Sequence, residues 1–125
     1  MSFPSNNNDR FVLVNEVGTR DGFQAEKLFI PTEIKAKAIN AMIDAGVTSV
    51  EATSFVSPRA VPQMADASEV MALIKRKPDV RLTALVPNAR GAERAAAAKV
   101  DMMAAFVSVS ETHCRANLNK TRAQA

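Results

Sequence analysis

The chain has 125 residues, 47% of them hydrophobic and 23% charged, with a formal net charge of +3. That is enough for one globular core and sets one domain as the ceiling. A single cysteine, Cys114, excludes an internal disulfide and a multi-cysteine zinc site, and no apolar run reaches the roughly 18 residues that a membrane span needs.

Residues 1–10, rich in Ser and Asn, read as a flexible lead-in without the charged and apolar regions of a signal peptide, so a cytoplasmic location is expected. Phe11 to Val17 is an apolar, β-branched run stopped by Gly18, the pattern of a buried strand. Thr32 to Ala45 sets Ile34, Ala38, Met42 and Ala45 at helical spacing, with Thr32 as N-cap and Gly46 as the stop. Val47 to Ala52 is a second strand. Asp66 to Arg76 carries Val70, Leu73 and Ile74 on one helical face. The dense cluster Lys75-Arg76-Lys77 falls at that expected helix end, where cations meet the negative end of the dipole, so neither a nucleic acid nor a membrane is expected as partner. Arg81 to Val86 is a third strand, Asn88 caps an alanine-rich helix through Ala98 that Gly91 weakens, and Met102 to Ser108 is a fourth strand.

Residues 11–125 thus alternate as four strands with three intervening helices, and such alternation implies right-handed crossovers and a parallel sheet covered by helices. Parallel strands are normally buried on both faces, which suits runs with little alternation. Two α/β architectures fit. Length alone favours an open doubly wound sheet, because a (β/α)8 TIM barrel needs roughly 250 residues and four strands make its N-terminal half.

In both architectures function collects at the C-terminal ends of the strands. After the first strand, Arg20 and Asp21 lie side by side in a turn bracketed by Gly18 and Gly22. Asp21 would offer oxygen to a hard cation and Arg20 a fixed positive charge to a developing enolate. Taken alone, the turn reads better as an exposed ion pair of little energetic worth. Glu51 nears the end of the second strand, and a carboxylate buried there needs a partner, either Arg20 or a metal-bound water. His113 and Cys114 are neighbours without an orienting third group, so they are expected to be structural or exposed. No Gly-x-Gly-x-x-Gly follows the first strand, and no phosphate-loop spacing occurs.

Taken together, Glu16 to Lys27 (EVGTRDGFQAEK) and Val50 to Pro58 (VEATSFVSP) resemble the 3-hydroxy-3-methylglutaryl-CoA lyase family. The likeness continues through Ala60 to Asp66, Val86-Pro87-Asn88 with Gly91, and Ser110-Glu111 with Asn117 and Asn119. The Arg-Asp-Gly turn is shared with related metallolyases and condensing enzymes, whereas Glu51 to Asp66 is far more specific. The resemblance implies a TIM barrel binding Mg²⁺ or Mn²⁺ that cleaves an acyl-CoA substrate to acetyl-CoA and acetoacetate, in leucine breakdown and ketone-body formation.

Carried over by position, Asp21 is implied as a metal ligand, Arg20 as stabiliser of the departing enolate, Glu51 as support for both, and Gln24 and Ser54 as pocket residues. The family's His-x-His pair, asparagine ligand and loop cysteine belong to later strands, so these 125 residues are expected to be the N-terminal half of such a barrel and inactive alone. Lys99 stands where such sequences usually carry Gly. Exposed barrel edges are expected to drive homo-oligomerisation or self-association. Two other readings stay open: a non-catalytic half-barrel, and an aldol or Claisen enzyme acting on 2-oxo acids.

Overall fold

The computed structural model describes residues 12–124; the expected lead-in and Phe11 lie outside them. Helix α1 (Thr32–Asp44) is followed by strand β1 (Ser49–Ser54), helix α2 (Ala67–Leu73), strand β2 (Arg81–Leu85), helix α3 (Ala89–Ala97), strand β3 (Met102–Ala104) and helix α4 (Glu111–Leu118). The strands form one parallel sheet in the order β1-β2-β3. The expected first strand contributes a single parallel bridge, Glu16 to Val50, made by Glu16 N–H to Ser49 O at 2.9 Å and Glu51 N–H to Glu16 O at 2.7 Å. Three strands and a bridge therefore stand where the periodicity gives four strands. The apolar run reads as a strand, yet Val12 and Val14 remain exposed and no ladder forms along them.

The core lies on one side of the sheet. Val50, Ala52, Leu82 and Ala84 point to the helices and pack with Ile39, Ile43, Val70, Met71 and Ala95. The opposite face carries Glu51 and Thr83, paired in register, so the strands alternate where a parallel sheet was expected to be apolar throughout. A bulge at Ala52 interrupts the alternation: Glu51 faces Thr83, but Thr53 already faces Ala84 and Ser54 faces Leu85. The extra residue puts Glu51 and Ser54, three apart, on the same face.

The buried side of α1 is Lys35, Ala36, Ile39 and Ile43, while Ile34 is exposed, which corrects the stripe read from the sequence. Lys35 is buried because its Nζ donates to Asp66 Oδ1 at 2.6 Å and to Gln63 O at 2.5 Å, with the Phe29 ring 4.2 Å away. Pro31 takes the N-cap position of α1, and the Thr32 hydroxyl donates instead to Asp66 Oδ2 at 2.8 Å. Gly46 ends the helix with φ +96°.

Helix α2 stops at Leu73, so Lys75 to Lys77 lie beyond it. Arg76 donates to Ala98 O, and Lys77 pairs with Asp44 at 2.8 Å, holding that carboxyl below its ordinary range. Asn88 caps α3 through Gly91 N–H at 2.9 Å. Gly91 is required there, because a Cβ would stand 2.8 Å from Phe55 O. Helix α4, absent from the expected elements, is held by the Ser110 cap at one end and by Asn119 at φ 52° at the other.

Candidate functional site

At the C-terminal end of β1 the chain before α1 folds across the sheet. Residues Gly18–Gly22 form one π-helical turn, with Asp21 N–H donating to Val17 O at 2.7 Å. Single π-helical turns are frequent at functional sites. The buried Thr19 hydroxyl donates to Glu51 O at 3.2 Å and pins the turn to β1.

This anchoring delivers Arg20 to Glu51. The Arg20 Nε donates to Glu51 Oε1, and Arg20 Nη1 donates to Asp21 Oδ1 at 2.6 Å. The Glu51 side chain is 9% exposed and that of Arg20 18%, against 67% for Asp21. One guanidinium is thus gripped from two sides, by a buried carboxylate on the sheet and an exposed one on its own turn. Fixing a cation this way removes the rotamer freedom that Arg would lose on meeting an anion.

A cavity of about 640 Å³ opens beside the pair, lined by Arg20, Gln24, Leu85, Asn88, Phe106 and Asn117 among others. Lys120 adds a second cation to its wall. Among the described residues the buried Gln24 Oε1 has no hydrogen-bond partner, an acceptor left for whatever donor enters. Of the residues singled out from sequence, Arg20 and Gln24 line this cavity, Glu51 braces Arg20, and Asp21 lies on the exposed side of the guanidinium. Ser54 is fully buried beside the cavity wall, its Oγ donating to Leu85 O at 3.4 Å.

Sequence reasoning missed Phe106 and Lys120, which carry no local motif, and it read Asn88 only as a cap. Thr83 is a further omission: it sits on the face of Glu51, and its buried Oγ1 has no hydrogen-bond partner among the described residues. Only strand pairing reveals that neighbour. His113 is exposed and exchanges a 2.9 Å hydrogen bond with Asn117, and Cys114 is buried, so the two do not form a nucleophile and base.

Among the described residues no three His, Cys, Asp or Glu side chains cluster to hold a metal ion. Asp21 is one carboxylate with one oxygen already engaged by Arg20, and Glu51 is turned to the same guanidinium. A divalent cation takes about six oxygen ligands. These residues alone do not make a cation site.

Known proteins match most of this chain. The chain is 48% identical over 109 residues to the cytoplasmic 3-hydroxy-3-methylglutaryl-CoA lyase of Danio rerio, covering 87% of this chain and 32% of that protein. It is 44% identical over 112 residues to the mitochondrial hydroxymethylglutaryl-CoA lyase of Arabidopsis thaliana, covering 90% and 24%. The chain therefore spans about a third or less of these relatives' length. Among solved structures, the HMG-CoA lyase of Brucella melitensis superposes with a TM-score of 0.82 at 51% identity, over 87% of this chain and 40% of that one. An Acinetobacter baumannii HMG-CoA lyase, in complex with coenzyme A and 3-methylmalate, reaches 0.90 at 38% identity, over 95% and 39%. The family model described as HMGL-like matches residues 12–125, and with the strand-end arginine held as described, the chain belongs to the HMGL-like family.

Proposed function

We propose that this chain supplies the N-terminal strands of a carbon–carbon lyase that cleaves 3-hydroxy-3-methylglutaryl-CoA to acetyl-CoA and acetoacetate. The observation that carries the reading is Arg20, held by the buried Glu51 beside a cavity that Gln24 also lines. In this cleavage a base takes the C3 hydroxyl proton, the C2–C3 bond breaks, and its electron pair becomes the enolate of acetyl-CoA, which is then protonated. Charge develops on the thioester oxygen. A guanidinium already fixed beside the reacting carbons stabilises that oxygen without reorganising.

In this reading Glu51 is a positioning residue, Gln24 orients the substrate, and Ser54 supports the cavity wall from behind Leu85. Asp21 would give one oxygen to Mg²⁺ or Mn²⁺, the remaining ligands coming from outside these residues. A cytoplasmic location is proposed with it, although the relatives' names include both cytoplasmic and mitochondrial forms. Self-association through the exposed edges is part of the same reading.

Acetoacetate release from the thioester, measured with added Mn²⁺, tests it. The 125-residue chain alone is expected to show no turnover, and co-expression with the C-terminal part of a family lyase to restore it. In the restored enzyme Arg20→Gln is expected to lower kcat by about 10²–10³-fold. Failure of every complemented pair to release acetoacetate would remove the assignment; turnover by the chain alone would remove its dependence on a second part.

A further inference from the structure

The buried pair Lys35–Asp66 takes no part in the chemistry drawn for the Arg20 cavity, yet three pieces of chain meet around it: residues 26–29, the first turn of α1, and residues 63–66. Lys35 Nζ donates to Asp66 Oδ1 and to Gln63 O, and the Phe29 ring lies against it. The Gln63 side chain reaches the other way, its Nε2 donating to Glu26 O. Gln63 is therefore held twice, its carbonyl by α1 and its side chain by the segment before α1.

The segments joined in this way form two walls of the Arg20 cavity. Gln24, two residues before Glu26, lines one, and Ala60 and Val61, just ahead of Gln63, line another. Lys35, Gln63, Asp66 and Glu26 are all outside the lining. Among the described residues the buried Gln24 Oε1 has no partner, so its place depends on its backbone, and Glu26 O is where that backbone is tied across to Gln63.

Local preferences are given up to build this junction. Asp66 occupies the N-cap position of α2, where a carboxylate accepts from the first N–H groups of its own helix, but it makes no capping bond and faces Lys35 and Thr32 instead. A buried ion pair is often no more stabilising than apolar residues of the same volume. What the polar junction adds is direction: an ammonium donating to one carbonyl fixes where residues 60–66 stand, which apolar packing would not do. Local rules are broken in this way mainly where function requires it.

We propose that Lys35, Asp66 and Gln63 form a strut that sets the separation of the Gln24 and Val61 walls, and so are positioning residues for the lyase site. What is positioned rests on the lyase reading; the strut itself is a property of this chain. Cutting it frees Gln24 to shift against Arg20, which Glu51 holds from the sheet. A misplacement of about 1 Å at a reacting centre can cost on the order of 10²-fold in rate.

Three variants test it. Gln63→Leu removes the bond to Glu26 and keeps the Lys35 contact, which is made to the backbone; Gln63→Lys retains a donor of similar reach; Lys35→Met/Asp66→Ala replaces the other end with apolar side chains. In the 125-residue chain, Gln63→Leu and the double variant should speed amide exchange at Ala25 and Glu26, whose N–H groups bond to Gly22 O and Phe23 O, by about tenfold relative to Leu82 in β2, and Gln63→Lys should match the parent. In the enzyme complemented with the C-terminal part of a family lyase, Gln63→Leu should lower kcat about tenfold with KM within about threefold, and Gln63→Lys should recover it. Adding Gln63→Leu to the double variant should lower kcat no further, because the bonds act in series. A parent pair that releases no acetoacetate removes the lyase reading and the positioning role with it, and the strut is then judged by exchange alone. Unchanged exchange at Ala25 and Glu26 in Gln63→Leu overturns the strut whatever the turnover. Faster exchange with unchanged kcat overturns the positioning role, as do equal losses in Gln63→Leu and Gln63→Lys.

Discussion

The Arg20–Glu51 contact was readable in the sequence because a carboxylate near the end of a buried strand needs a cation, and the neighbouring turn offers one. Replacing Glu51 by Gln leaves the Arg20 guanidinium in a mostly buried position with half its grip. The expected cost is about 1–3 kcal/mol, seen as a lower urea midpoint, and an unchanged midpoint would mean that the pair is solvated and idle. Lys99 departs from the family's usual glycine, and the structure gives the reason for that glycine: the residue after the α3 C-cap Ala98, which is Lys99, adopts φ 57°. A non-glycine residue there is strained, partly offset by the greater entropy glycine has when unfolded, so Lys99→Gly should stabilise by about 0.5–1 kcal/mol in thermal melts. Ser54 and Thr83 were harder to place. Which face Ser54 occupies depends on the bulge at Ala52, and the neighbour of Thr83 depends on strand register; neither leaves a local signature.

At the scale of elements, three helices and three strands followed from periodicity, while α1 was turned to the wrong face and α4 was missed. The two misses have different origins. The α1 sequence offers two apolar stripes offset by one residue, and the one that is buried contains Lys35, a residue that periodicity counts as outward-facing. Tertiary pairing with Asp66 reverses that count. Helix α4 has no apolar stripe, only buried Cys114, and its two capping residues supply the local signal. Because Lys35 and Asp66 side chains are 4% and 11% exposed, Asp66→Ala should cost about 3–5 kcal/mol by stranding a buried ammonium. The double variant Lys35→Met/Asp66→Ala should recover most of that loss in the same denaturation assay. A double variant as unstable as the single one would show that Asp66 acts through Thr32 rather than through Lys35.

For the molecule as a whole, the alternation of strands and helices left two architectures, and the resemblance carried by the strand-end residues pointed to the barrel over the open sheet that length favoured. The same arrangement leaves apolar surface at both ends of the sheet. Val12 and Val14 are 75% and 72% exposed beside β1, and Val107 and Val109 are 58% and 86% exposed after β3. The β3 ladder pairs on its β2 side, and its other edge among the described residues offers backbone donors and acceptors to a partner. Open edges flanked by apolar side chains template further pairing. Sedimentation velocity of the purified chain should therefore show concentration-dependent species larger than a monomer. Val107→Lys with Val109→Lys should shift the population toward monomer while far-ultraviolet circular dichroism stays unchanged, because both side chains lie outside the packed core. A monodisperse monomer across the concentration series, with cooperative unfolding, would mean that the sheet edges are satisfied within one chain.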